Sequence, residues 1–264
     1  MSQHFIHYVP RRIVSRFPDD ANHPWFADVQ ALDAGFFRPT FHISRRKTGP
    51  TQQVREGDTI WILGQIVSPW GVLPPGIDAR IEVERVERGR DGALRFIASK
   101  QSQWFPLSDI SHTLPFLKSL AGQGRLNELL KDPTAPIGRS LQSMRLLASA
   151  EPLEEHLGKL SLQPVHFISY RICDGTHAAF VKTKALLAQQ QVVFWDRWSL
   201  PRRLAERREL VDCEALDCHL MEQLASAGTV WGIESPAYSA EGSYSQKEKI
   251  KALQLGTYHA VAGC

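Results

Sequence analysis

Nowhere in the 264 residues does an apolar run approach the roughly 18 positions that a membrane-spanning helix needs. The N-terminus, Met1-Ser-Gln-His-Phe-Ile-His-Tyr-Val-Pro10, also lacks a basic segment followed by an apolar one. Both absences favour a cytoplasmic protein. The four cysteines, Cys173, Cys213, Cys218 and Cys264, form no C-x-x-C pair, which argues against a zinc ribbon or a disulfide-stapled secreted fold and leaves free thiols. Cys213, Cys218 and His219 fall on one expected helix, but five-residue spacing places side chains on different faces, so no metal site is expected. Phosphate-loop, G-x-G-x-x-G and G-x-S-x-G motifs are all missing, which removes the sequence support for P-loop, Rossmann and serine-hydrolase chemistry.

What is present is an ordinary globular composition, 43% hydrophobic and 22% charged, sufficient for a core without disulfides or metal. The length suits two modest domains. Residues 1–150 hold 19 Lys and Arg against 14 Asp and Glu, whereas residues 151–264 hold 12 against 14. A basic first half suits an anionic partner such as a nucleic acid or nucleotide, or is simply a solvated surface.

In the first half, Thr59–Ile66 and Ala79–Val86 cluster or alternate apolar residues over strand lengths, between turn signals at Arg55-Glu-Gly-Asp58, Leu73-Pro-Pro-Gly76 and Gly89-Arg-Asp-Gly92. These predict a small barrel-like sheet. Helical spacing in Pro115–Leu120, Leu126–Leu130 and Ile137–Leu147 predicts helices covering one side of it, an α+β domain over residues 1–147. Residues 148–163 read as a linker with one short helical pattern, Pro152–Leu157. From 164 to 264 the pattern becomes strand and helix in alternation. Strands are expected at Val165–Tyr170, Val192–Trp195, Thr229–Glu234 and Thr257–Val261, and helices at Thr176–Gln190, Leu210–Ala227 (ended by Gly228) and Ser245–Leu255. Such alternation predicts an α/β domain with a parallel, doubly wound sheet that binds ligands beyond the carboxyl ends of its strands.

Five landmarks in this half occur in one order: Phe167-Ile-Ser-Tyr-Arg171, Asp174-Gly175, Phe194-Trp-Asp196, Leu200-Pro-Arg-Arg203 and Ile233-Glu-Ser-Pro-Ala-Tyr238. Together they resemble the TIR (Toll/interleukin-1 receptor-like) domain family. The resemblance implies a flavodoxin-like sheet, with Tyr170, Arg171, Asp174 and Asp196 lining a nucleotide pocket and a mobile loop at Leu200–Leu204. Members that cleave NAD+ carry a glutamate on the helix after the third strand, four residues beyond an aromatic, usually Trp. Ser243-Tyr-Ser-Gln-Lys-Glu248 supplies that spacing with Tyr244 in the aromatic place, making Glu248 the implied catalytic residue and Tyr244 an implied nucleotide contact.

The chemistry suits one carboxylate. The nicotinamide of NAD+ is a pyridinium and leaves without a general acid, so the positive charge growing on the ribose is what needs stabilising. A carboxylate can offset that charge or bond transiently to C1′. NAD+ is here substrate, and no cofactor is expected. The blander reading makes Glu248 a solvated charge beside Lys247, Lys249 and Lys251, lets Arg171 and Asp174 pair with each other, and leaves Asp196 capping a turn. Trp231 reads as core.

The first half faintly resembles the PUA-like barrels that bind RNA or modified bases. Trp61, Trp70 or Trp104 would then stack on a base, with the Arg38–Lys47 stretch near phosphate, although such tryptophans are more often core. The TIR resemblance implies a prokaryotic anti-phage or immune effector, in which the first half senses a trigger, TIR domains associate, and NAD+ is hydrolysed or cyclised. The alternatives are a non-catalytic TIR adaptor working by self-association, and a nucleic-acid-binding protein acting through residues 1–150. The family usually adds a fifth strand and closing helix beyond the position of Cys264. An open sheet edge, and hence an oligomer, is therefore expected.

Overall fold

The apolar run at Thr59–Ser68 is buried on both faces and forms a central strand of a mixed sheet in the computed structural model, which describes residues 2–12, 38–46, 48–89, 92–130, 137–141, 143–199 and 213–263. The first half contributes β1 (His4–Arg12), β2 (Phe41–Ser44), β3 (Thr59–Ser68), β4 (Gly71–Val72), β5 (Gly76–Arg88), β6 (Leu94–Ala98), β7 (Gln103–Trp104), β8 (Lys118–Leu120), β9 (Leu126–Glu128) and β10 (Arg145–Leu147). Their order is β2-β6-β5-β3-β1-β10-β8-β9, with β4 on β3 and β7 on β5. Strand β1 runs parallel to β3, and the other pairings are antiparallel. Among the described residues no pairing joins β2 to β9, so the path stays open.

Alternation along β3 explains the two cores. Ile60 and Ile62 join Phe5, Ile81 and Phe96 in one cluster, while Trp61 and Leu63 join Ile6, Ile77 and Leu147 in another. The segments expected to be helices at Pro115–Leu120 and Leu126–Leu130 are instead a single 3-10 turn, Leu114–Phe116, followed by the hairpin β8–β9. Helical periodicity over so few residues is a weak signal, and the turn at Gly124, with φ of 72°, lets the two pieces pair. Among the described residues of Ile137–Leu147 only Ile137–Ser140 is helical, because the end of the segment pairs as β10 with β1 and β8. The stretch read as a linker contains α1 (Glu151–Leu160), whose Leu153 is fully buried in the Trp61 cluster.

The second half is a separate parallel sheet of four strands: β11 (Val165–Ser169), β12 (Val192–Phe194), β13 (Thr229–Glu234) and β14 (Tyr258–Ala262). Between them lie α2 (Thr176–Ala188), α3 (Cys213–Ser226) and α4 (Tyr244–Leu255). The order is β12-β11-β13-β14. The chain moves from β11 to one side and returns on the other, so the strand order reverses between β11 and β13, the place where such sheets commonly bind ligands. Helix α2 packs on one face with Ile168, Val193 and Ile233, and α3 and α4 pack on the other with Phe167, Phe194 and Val230. Gly228 does not cap α3 in a left-handed conformation. It lies against Pro164, where a Cβ would come within 2.6 Å of the proline ring. Gly256, with φ of 69°, is the left-handed cap of α4.

The halves touch at β12, where Leu107 exchanges backbone hydrogen bonds of 2.8 and 2.9 Å with Val193 and covers that sheet edge. Beside it, Trp198 on the helical turn Asp196–Ser199 lies against Gly64 and Gly76, where a Cβ would stand 2.9 and 3.1 Å from its ring, and its indole N–H donates to Phe105 O at 3.0 Å. Strand β14 has no partner on its outer side among the described residues. No helix of the described residues is long and apolar enough to cross a membrane.

Candidate active site

Helix α4 starts from a tied cap. Ser243 Oγ accepts from the Gln246 amide at 3.1 Å, Gln246 Oε1 accepts from the Gly242 amide at 2.8 Å, and Ser245 Oγ donates to Tyr238 O at 2.5 Å. The first two bonds satisfy backbone N–H groups, and the third fixes the first turn on the loop that follows β13. One turn further on, Glu248 points inward and is only 6% exposed. Its Oε2 accepts from Ser169 Oγ at 2.6 Å, and Ser169 Oγ lies 2.8 Å from the Tyr238 hydroxyl. Ser169 is the last residue of β11, so the carboxyl sits over the carboxyl end of a central strand, at the reversal of strand order.

The lysines beside Glu248 turn elsewhere. Lys247 pairs with Asp217 of α3 at 3.0 Å and Lys249 with Glu234 at 2.5 Å. Without a cation against it, Glu248 is pushed up from the ordinary 4.5 to about 8, chiefly by burial, with Asp196 and Asp217 adding repulsion and the Ser169 hydrogen bond partly opposing. A neutral carboxylic acid buried at the carboxyl end of a central strand is an unusual expenditure of stability for a structural group.

Next to Ser169, Tyr170 donates its hydroxyl proton to Asp196 Oδ1 at 2.7 Å and accepts from Arg197 Nε at 3.0 Å. Burial raises Asp196 above the usual carboxylate range, with Arg197 and the Tyr170 bond pulling the other way. Asp174, in the loop after β11, accepts from Ser235 Oγ at 2.6 Å and from the Ala237 amide at 2.8 Å. Desolvation opposes these bonds, yet together with the nearby Arg171 charge they hold Asp174 below its ordinary value. Asp174 therefore anchors the loop carrying Tyr238; it also accepts from Cys173 Sγ at 3.6 Å, and none of these bonds goes to Arg171. The Arg171 Nε is buried without a hydrogen-bond partner.

The structure thus brings Glu248, Tyr170 and Asp196 to one edge of the sheet, with Asp174 and Arg171 in the adjoining loop. Tyr244 is half-buried against the Phe167 and Phe194 cluster, with Lys247 5.4 Å from its ring centre. The loop at Leu200–Leu204 lies outside the described residues. Ser169 and Tyr238, which sequence reasoning did not single out, lie inside two of its five landmarks. Trp61 is fully buried, Trp104 packs on the Phe96 cluster, and Trp70 is half-buried and stacks on His177 of α2 at 5.1 Å. Arg45 and Arg46 of the basic stretch are exposed. Among the described residues no group of three or more His, Cys, Asp or Glu stands close enough to hold a metal ion. No family model, no curated protein and no solved structure matches the chain.

Proposed function

We propose that residues 164–264 act as a TIR-type NAD+ nucleosidase with Glu248 as the catalytic carboxylate. The observation that carries this reading is the burial of Glu248 at the carboxyl end of β11, hydrogen-bonded to Ser169 and free of the lysines around it. A desolvated carboxyl in such a place interacts strongly with a cation brought beside it. The pyridinium of NAD+ is such a cation and favours the ionised form of Glu248. As the C1′–N bond breaks, its electron pair leaves with nicotinamide, and the carboxylate offsets the charge left on the ribose until water or an internal nucleophile adds. Because Glu248 is closed off in the free chain, substrate must displace part of the 235–243 loop. A trigger acting on the first half has a route to Tyr170 and Asp196 through Trp198, which is wedged against Gly64 and Gly76 and is next in sequence to Arg197.

The test is chromatography of NAD+ incubated with the full chain and with Glu248→Ala. Nicotinamide together with ADP-ribose or a cyclised product is expected from the first and not the second. Equal loss with both proteins, or none with either at high protein concentration, removes the enzymatic reading. A second reading, an adaptor that works by self-association, is favoured by the outer edge of β14, which is unpaired among the described residues. It predicts oligomers without NAD+ loss. Nucleic-acid binding through the first half draws less support, because Trp61 is buried, and a salt-dependent gel shift with the full chain tests it.

A further inference from the structure

Ser169 has one hydroxyl proton and gives it to Glu248 Oε2 at 2.6 Å. Its oxygen is therefore the acceptor in the 2.8 Å contact with Tyr238, whose hydroxyl is the donor there. Two O–H groups thus point one way, from Tyr238 to Ser169 and from Ser169 to the carboxyl. All three residues are buried, Tyr238 completely, so the order of donation is set by the protein and not by water. Tyr238 is itself held from several directions. Its amide donates to Ser235 O at 2.9 Å, its carbonyl accepts from Ser245 Oγ at 2.5 Å, and Asp174 binds Ser235 and Ala237 just before it. Ser245 lies on the first turn of α4, three residues before Glu248, so strand end, loop and helix close a ring around the carboxyl.

We propose that Ser169 and Tyr238 are positioning residues for Glu248, with Tyr238 acting through Ser169, and that they commit Oε2 to the protein and leave Oε1 for the ligand. The assignment rests on the nucleosidase reading for the identity of that ligand. In the neutral form, donation into Oε2 leaves the acid proton on Oε1. When a cation arrives and that proton is lost, both hydroxyls already point at the carboxylate, so ionisation needs no rearrangement of donors. A hydrogen bond to an ionised acceptor is roughly twice as strong as a neutral one, and a donor behind it strengthens it by about 10–30%. The pair therefore favours the form that the reaction needs.

The charges around Glu248 do not take this part. Asp196, on the turn after β12, and Asp217 of α3 are anions that favour the neutral carboxyl, and burial acts in the same direction. Arg197 is bonded to Tyr170, and Lys247 and Lys249 of α4 itself are paired with Asp217 and with Glu234 of β13. Against all of these stands the Ser169 hydroxyl, with Tyr238 behind it.

The experiment is a pH titration of the infrared carbonyl band of protonated Glu248, assigned by its loss in Glu248→Gln, on the full chain without NAD+. Ser169→Ala should raise the midpoint by about one pH unit or more, the worth of a hydrogen bond to a charged group. Tyr238→Phe keeps the ring and should raise it by roughly 0.3 unit. In the Ser169→Ala background the same Tyr238→Phe change should leave the midpoint where it is, because its effect passes through the Ser169 hydroxyl. An equal shift in both backgrounds, as a merely structural ring contact would give, overturns the proposal. So does the lack of an upward shift in either single variant. Because the titration contains no substrate, a wild type that leaves NAD+ intact ends the nucleosidase reading without touching the assignment of Ser169 and Tyr238.

Discussion

Replacing Glu248 by Gln should make the protein more stable at alkaline pH while abolishing the proposed NAD+ cleavage. The carboxyl holds its proton to about pH 8 in the folded chain and to about 4.5 when unfolded. Below 4.5 both states are protonated, and Glu248 makes no pH-dependent contribution. Between 4.5 and about 8 the unfolded chain has released a proton that the folded chain retains, so stability falls as pH rises, levelling once the folded state ionises. At about 1.4 kcal/mol per tenfold, that window corresponds to roughly 5 kcal/mol, a large part of a typical folding free energy. The amide of Gln keeps the shape of the neutral acid and can donate to Ser169, but it does not titrate. Urea unfolding at about pH 5 should show wild type and variant within about 1 kcal/mol, and at about pH 8.5 the variant should be ahead by roughly 3 to 5 kcal/mol. A difference that is the same at both pH values would refute the reasoning, since Glu248 would then titrate as an ordinary surface carboxylate.

The Ser169→Ala change removes the one hydrogen bond that opposes burial, so the pH midpoint of the proposed NAD+ cleavage should move upward, read from a pH-rate profile. In the first half, His7 and His42 share a hydrogen bond of 2.7 Å, and burial holds both below the ordinary 6.5, His7 at about 4. Unfolding lets them protonate, so stability should be lost as pH falls from 6.5 toward 4, and the double change of both residues to Gln should flatten that loss in acid unfolding curves. Gly64→Ala places a methyl within 2.9 Å of the Trp198 ring and should cost about 1 to 3 kcal/mol in urea unfolding, with partial recovery when Trp198→Phe is added.

The α/β part of the chain was legible because each element carries its own periodicity. Thr229–Glu234 is a strand over the expected residues, and the helices at Thr176 and Tyr244 begin within one residue of the expected starts. Strands buried on both faces must be apolar throughout, and that is visible one residue at a time. The pieces around Leu117, Leu126 and Leu146 were not legible as strands. Their conformation is set by pairing with β1 and with one another, and a three-residue strand has no period of its own. The contact of Trp198 with Gly64 and Gly76 spans more than a hundred residues of sequence, and no local pattern announces it.

For Glu248 the limit was of another kind. Its sequence neighbours are lysines, and four-residue spacing says only which helix face it shares with Tyr244. Whether that face meets water or a strand end depends on where β11 stops, and β11 stops at Ser169 because Tyr170 turns away to Asp196 and Arg197. Lys247 and Lys249 are drawn off by Asp217 on α3 and Glu234 on β13, elements separated from them by 30 and 15 residues. The carboxyl is left without a counter-ion by the positions of two other carboxylates. Removing either partner should therefore free a lysine to approach Glu248 and bring its midpoint down. Asp217→Asn frees Lys247 and also removes a repelling charge, so its alkaline stability should rise toward that of Glu248→Gln. If the pH dependence of unfolding is unchanged in Asp217→Asn, the separation of Glu248 from its lysines is not what keeps it protonated.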